Sequence, residues 1–208
     1  MGSSAKTKSR NKKSSKQKDN KRKDKQYVQW FDDLDSGDVA VVGGKNASLG
    51  EMIGALKDKG VRVPDGFATT AEAYRMFLKE NDIEDSLREE IAALQNGKKL
   101  EEAGESIRRL FRKSEFPEKI ASAIREAYSE LSKRYEQKET DIAARSSATA
   151  EDLPEASFAG QQESFLNVSG EDDVLASCKK CYASLFTDRA ISYREEHGFD
   201  HLDVALSV

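Results

Sequence analysis

Residues 141–168 read DIAARSSATAEDLPEASFAGQQESFLNV, and the fold turns on how this stretch divides. Ile142 to Ala144 is a short apolar run of strand character that delivers one cation, Arg145, into a cluster of small hydroxyl residues, Ser146, Ser147 and Thr149. An acidic loop containing Pro154 follows from Glu151 to Glu155. From Ser157 to Leu166 small residues return, where backbone can approach a ligand closely, and a second strand is expected. Two readings fit these residues. In one, a surface loop joins two strands and Arg145 is merely solvated. In the other, the planar, permanently charged guanidinium and the adjacent hydroxyls are donors for phosphate oxygens.

Working outward toward the N-terminus, Tyr27 to Phe31 reads as a short aromatic strand and Asp38 to Val42 as a second. Gly43 and Gly44 end that pattern. Beyond Lys45 the apolar residues Leu49, Met52, Ile53 and Leu56 recur at helical spacing, with Ser48 and Glu51 as a capping box. Lys45 therefore stands in a glycine-preceded loop at an expected helix N-terminus, where free N–H groups and the helix dipole favour an anion. The loop is not a Walker A sequence, because the upstream glycine and the hydroxyl after the lysine are both missing. By itself the Gly-Gly-Lys is a weak signal, and a lysine capping exposed carbonyls fits it better. Val61 to Ala68 reads as a strand interrupted by Pro64 and Gly66, and Thr69 with Glu72 opens a helix. Ile83 to about Tyr135 is charged and helical, with apolar stripes that include Ile91, Ile107, Phe111, Ile120, Ile124 and Tyr128. Another helix is expected after Gly170 and Glu171, a further one from Asp188, and a last strand over Val204 to Val208.

Three motifs now stand in order: VGGKNASLGEM at Val42 to Met52, VPDGFATT at Val63 to Thr70, and the stretch from Asp141 to Val168. Together they resemble the N-terminal nucleotide-binding region of the phosphoenolpyruvate synthases (pyruvate, water dikinases), over about Val28 to Val208. The resemblance implies an α+β fold: an incomplete, N-terminal part of an ATP-grasp-type nucleotide-binding domain over residues 27–208. It implies ATP as ligand, with Lys45 and Arg145 on its phosphates, Gly160 and Ser164 lining the nucleotide cleft, and Arg145 catalytic through neutralising charge on the phosphoryl group in flight. The family's reaction carries a phosphoryl group from ATP through a histidine to pyruvate, with magnesium. The acidic magnesium ligands, the histidine domain and the pyruvate-binding barrel are expected C-terminal to Val208. Hence no metal ligand is assigned within the chain, and the 208 residues alone are expected not to complete the reaction. Two alternatives are a front end like that of the rifampicin phosphotransferases and a non-catalytic nucleotide- or partner-binding module.

Composition separates the chain into unlike parts. Charged residues make up 35% and hydrophobic residues 37%, and the mean hydropathy is -0.74, polar values for a folded protein. Residues 1–26 hold eleven Lys and Arg against Asp19 and Asp24, a charge of +9, which leaves -13 for the remainder of a chain with net charge -4. Without a large apolar residue after Met1, this tail is expected to be disordered. It reads first as a solvated extension with no specific partner, with a weak polyanion-binding arm or a targeting segment as the functional alternatives, and the absence of aromatics among its lysines gives base stacking no support. No run approaches a membrane span and no apolar signal core is present, so a cytoplasmic protein is expected. Cys178 and Cys181 share the spacing of a redox motif but fall within a helical pattern, so they are expected to be reduced thiols. Gly198 separates His197 from His201 and argues against a helical metal pair.

Overall fold

A computed structural model of the chain describes residues 27–57, 59–60, 63–149, 152–153, 156–157 and 163–208. The tail at residues 1–26 and Gly160 lie outside the described residues.

The first strand, β1 (Val28–Trp30), pairs antiparallel with β2 (Phe67–Thr69), so that Val28 faces Thr69 and Trp30 faces Phe67. Between them the chain turns helical early. The Asp35 carboxylate accepts from Gly37 N at 2.7 Å and that of Asp38 accepts from Asp35 N at 2.9 Å, a reciprocal cap that starts a helical turn. Helix α1 (Val39–Lys57) follows directly and is broken only at Gly43, where φ is 77° and ψ 163°. The strand expected over Asp38 to Val42 is therefore overturned. A short apolar run has no period that separates a buried strand from a buried helical turn, and the two-aspartate cap upstream settles it. The Ser48–Glu51 capping box falls with it, because both residues lie inside α1.

Thr70 caps α2 (Ala71–Glu80), its hydroxyl accepting from Ala73 N at 3.2 Å, one residue later than expected. The charged middle forms α3 (Ile83–Gln95), α4 (Leu100–Lys113) and α5 (Glu118–Arg134). Their apolar stripes are buried as the spacing predicts: Ile107, Phe111, Ile120 and Ile124 have no exposed surface. Helix α6 (Glu171–Ser184) and helix α7 (Asp188–His197), capped by Thr187, complete the helical layer. At the centre Phe111 stacks on Phe186 with centroids 5.3 Å apart, and Phe77 meets Tyr182 edge-on at 5.4 Å. Arg108 ties α4 to the α6–α7 junction, donating to Phe186 O at 2.9 Å and to the Asp188 carboxylate at 2.7 Å.

The deciding stretch forms two pairs of strands and contributes to a third. Strand β3 (Ile142–Arg145) runs antiparallel to β7 (Ser164–Val168). Just beyond it β4 (Ser147–Ala148) pairs with the chain's last strand, β8 (Leu206–Ser207). Between them β5 (Asp152–Leu153) and β6 (Ala156–Ser157) form a small hairpin. The molecule is thus a mixed α+β structure in which short two-stranded pairs, among the described residues, are backed by helices.

Candidate functional site

Arg145 ends β3, and its register partner across the pair is Ser164, the first residue of β7. Two residues chosen from sequence, nineteen positions apart, therefore stand directly opposite each other. Both are exposed, as strand alternation requires of the residues next to the inward-facing Ala144 and Phe165; an irregularity at Asn167, where φ is 55°, then turns Val168 inward. Phe165 also packs inward and carries Lys180 Nζ of α6 at 5.6 Å from its ring centre. Leu166 continues the outward face beyond Ser164 with 68% of its surface exposed, beside the exposed Ala143 of β3. The outer face thus presents a cation, a hydroxyl and an apolar side chain in sequence.

The turn that carries Lys45 packs on the residues just after Arg145 by a different route. At Gly43 the left-handed φ sets the Cα against Ser147, and a Cβ placed there would lie 2.3 Å from Ser147 Oγ and 2.6 Å from Ser147 O. Asn46 N then donates to Ser147 Oγ at 3.4 Å. The Gly43–Asn46 turn is thereby docked on β4, two residues beyond Arg145, and the half-buried Lys45 lies within that turn. Behind the turn runs a buried polar chain. Asn46 Nδ2 donates to Val42 O at 3.0 Å and to Ser207 Oγ at 2.8 Å, and Ser207 Oγ donates in turn to Thr69 O. Thr69 closes the chain by exchanging hydrogen bonds with Val208: its N–H donates to Val208 O at 2.8 Å and its Oγ1 accepts from Val208 N at 2.9 Å.

The hydroxyl cluster after Arg145 has a different task from the one its composition suggests. Ser147 Oγ serves the Asn46 amide, and Thr149 Oγ1 both donates to Ala205 O at 3.2 Å and accepts from Ala205 N at 3.3 Å. Ser147 is buried and Thr149 half-buried, so these hydroxyls hold the turn and the last strand instead of facing outward. Asn46 and Ser207 went unmarked in the sequence, and Thr69 reads there only as a helix cap. An asparagine after a loop lysine was the one local signal, and nothing near Ser207 points to a partner 161 positions away.

Two constellations set aside from sequence are structural here. Cys178 and Cys181 are buried free thiols, and burial pushes Cys178 up to about 12 and raises Cys181 further. His201 is buried, its Nδ1 accepting from Arg194 Nε at 2.8 Å while its Nε2 lies 2.8 Å from the Glu195 carboxylate. Burial lowers its pKa, and the hydrogen bond it donates to the Glu195 carboxylate opposes that shift. His197 sits apart, stacked on Tyr193 with its Nδ1 2.8 Å from Tyr193 O. Among the described residues no three His, Cys, Asp or Glu side chains converge as metal ligands. The magnesium implied by the resemblance therefore has no cluster of three such donors among the described residues.

The described structure is an α+β domain in which a glycine–lysine turn docks on β4, directly after the exposed arginine–serine pair of β3 and β7. Residues 39–208 match the family model described as the pyruvate phosphate dikinase AMP/ATP-binding domain, and the chain belongs to that family. It is 54% identical over 192 residues to a phosphoenolpyruvate synthase of Synechocystis, 49% over 188 residues to one of Aquifex aeolicus, and 50% over 182 residues to one of Escherichia coli. These alignments cover 89%, 89% and 86% of this chain but 24%, 22% and 23% of the relatives, so the chain spans about a quarter of their length. No helix of the described residues is long and apolar enough to cross a membrane.

Proposed function

We propose that residues 27–208 bind ATP as part of an ATP-grasp-type cleft, with the triphosphate against Arg145, Ser164 and Lys45. The observation that carries this reading is the register that sets Arg145 opposite Ser164 on an exposed face, next to the docked lysine turn. Arginine holds phosphate oxygens through paired N–H donors and lysine adds a point charge, which together offset the charge of the triphosphate. The exposed Leu166 on the same face favours a base-bearing ligand over bare phosphate. Gly160, outside the described residues, belongs to the same cleft on this reading.

The reaction served is that of a pyruvate, water dikinase: ATP phosphorylates a histidine and then pyruvate, giving phosphoenolpyruvate, AMP and phosphate. The names of the relatives support this assignment. Arg145 contributes by fixing the phosphates and stabilising charge as the phosphoryl group leaves, where positioning and electrostatics supply most of the catalysis. Pyruvate and the magnesium ligands belong to the remaining three quarters of the relatives' length. The basic residues 1–26 supply weak polyanion binding, and an RNA affinity that survives their deletion would remove that role.

The test is equilibrium binding of ATP by calorimetry. Arg145→Ala and Lys45→Ala are each expected to weaken binding about ten-fold or more, the worth of one charge-assisted hydrogen bond. Unchanged ATP affinity in Arg145→Ala would overturn the reading.

A further inference from the structure

Lys45 has glycine on its N-terminal side, and a side chain on such a turn is precise only if its backbone is held. Its neighbour supplies the hold. Asn46 is 6% exposed, and its side-chain amide spans from Val42 O, on the far side of the Gly43 break, to Ser207 Oγ in β8. The backbone N–H of the same residue donates to Ser147 Oγ in β4. One residue therefore joins α1, β4 and β8, and Ser207 passes the link to Thr69 in β2. The Ser207 hydroxyl donates to the Thr69 carbonyl, so toward Asn46 it acts as an acceptor, which orients the amide with its NH2 group on both partners. Asn46, Ser207 and Thr69 are all buried, and a buried polar chain whose members satisfy one another specifies one geometry.

We infer that Asn46 and Ser207 are positioning residues for the nucleotide site, acting through Lys45: they fix the glycine–lysine turn at a set distance from the strand that bears Arg145. The inference rests on the ATP reading above. Neither side chain touches the ligand, so each acts on affinity only by placing the lysine.

The experiment is a pair of double-mutant cycles in the 208-residue protein, read as ATP affinity by calorimetry, with far-UV circular dichroism confirming the fold of every variant. Asn46→Ala and Ser207→Ala are each expected to weaken ATP about five-fold when Lys45 is present, a value typical of one lost buried hydrogen bond. In the Lys45→Ala background the same substitutions are expected to change affinity less than two-fold, because the group they position is gone. Ser207→Ala removes one hydroxyl from β8 and leaves the sequence of the turn itself unchanged, so it decides the matter if Asn46→Ala fails to fold. Equal losses in both backgrounds would overturn the inference, since the effect would not pass through Lys45. So would unchanged affinity in both single variants while Lys45→Ala still weakens ATP, a result that leaves the ATP reading standing. If Lys45→Ala itself changes nothing, the role of Lys45 in the ATP reading fails and the inference fails with it.

Discussion

At Gly43 the backbone adopts φ +77°, and the space a Cβ would need is taken by the Ser147 hydroxyl and carbonyl. Alanine would meet both penalties, left-handed strain of about 1–3 kcal/mol and a clash with backbone that has no free end to move. Gly43→Ala is expected to lower Tm by roughly 2–12 °C for a chain of this size. ATP affinity should fall with it, because the turn can no longer seat on β4. A variant with unchanged Tm in a thermal melt would refute the close approach. A second residue-scale prediction concerns His201. Burial holds its folded pKa below the ordinary value of 6.5, with Arg194 acting in the same direction and Glu195 and Asp200 opposing. Above pH 6.5 the imidazole is neutral in both folded and unfolded chains, and its contribution is fully present. As pH falls below 6.5 the unfolded chain takes up the proton first, so stability declines until the folded pKa is passed. Protonating Nδ1 would also remove the acceptor of the Arg194 Nε–H bond. Urea midpoints should therefore drop between pH 7.5 and pH 5.5, and His201→Gln should flatten that dependence.

Among the elements, α4 carries the centre of the helical layer. Phe111 is fully buried and stacks on Phe186 at 5.3 Å and Phe77 at 6.1 Å, so truncation removes contacts to α2 and to the α6–α7 junction together. Phe111→Ala is expected to cost about 3–5 kcal/mol in urea unfolding, and a loss under about 1 kcal/mol would show that the ring is not packed as described. The helices were legible because their apolar residues recur every three or four positions, as in the run Ile107, Leu110 and Phe111. Asp38 to Val42 was misread because an apolar run of that length has no diagnostic period. Its helical start depends on the Asp35–Asp38 cap, which lies before the run. Strand β3 was legible from residues 142–144, while its partner β7 begins at Ser164, later than the small-residue stretch alone suggested.

For the whole molecule, burial of Cys178 and Cys181 makes thiol reactivity a reporter of global opening. With Cys178 pushed up to about 12 and Cys181 raised as well, almost no thiolate exists at neutral pH, and neither sulfur is accessible. A disulfide reagent such as DTNB should react slowly with the native protein and rapidly with two thiols in urea. Fast native reaction would contradict the buried placement. At this scale the sequence by itself determined which residue types could meet a phosphate, Lys45 after two glycines and Arg145 at a strand end, and which stripes would form a core. Only the tertiary structure decided that the lysine turn seats on Ser147, 101 positions after Asn46, and that Ser164 faces Arg145. It also decided that the hydroxyls of Ser147 and Thr149 hold the frame. The physical reason is one of range. Helix and strand periods are written in neighbours two to four residues apart, whereas partners 101 and 161 positions apart are selected by the packing of the entire chain.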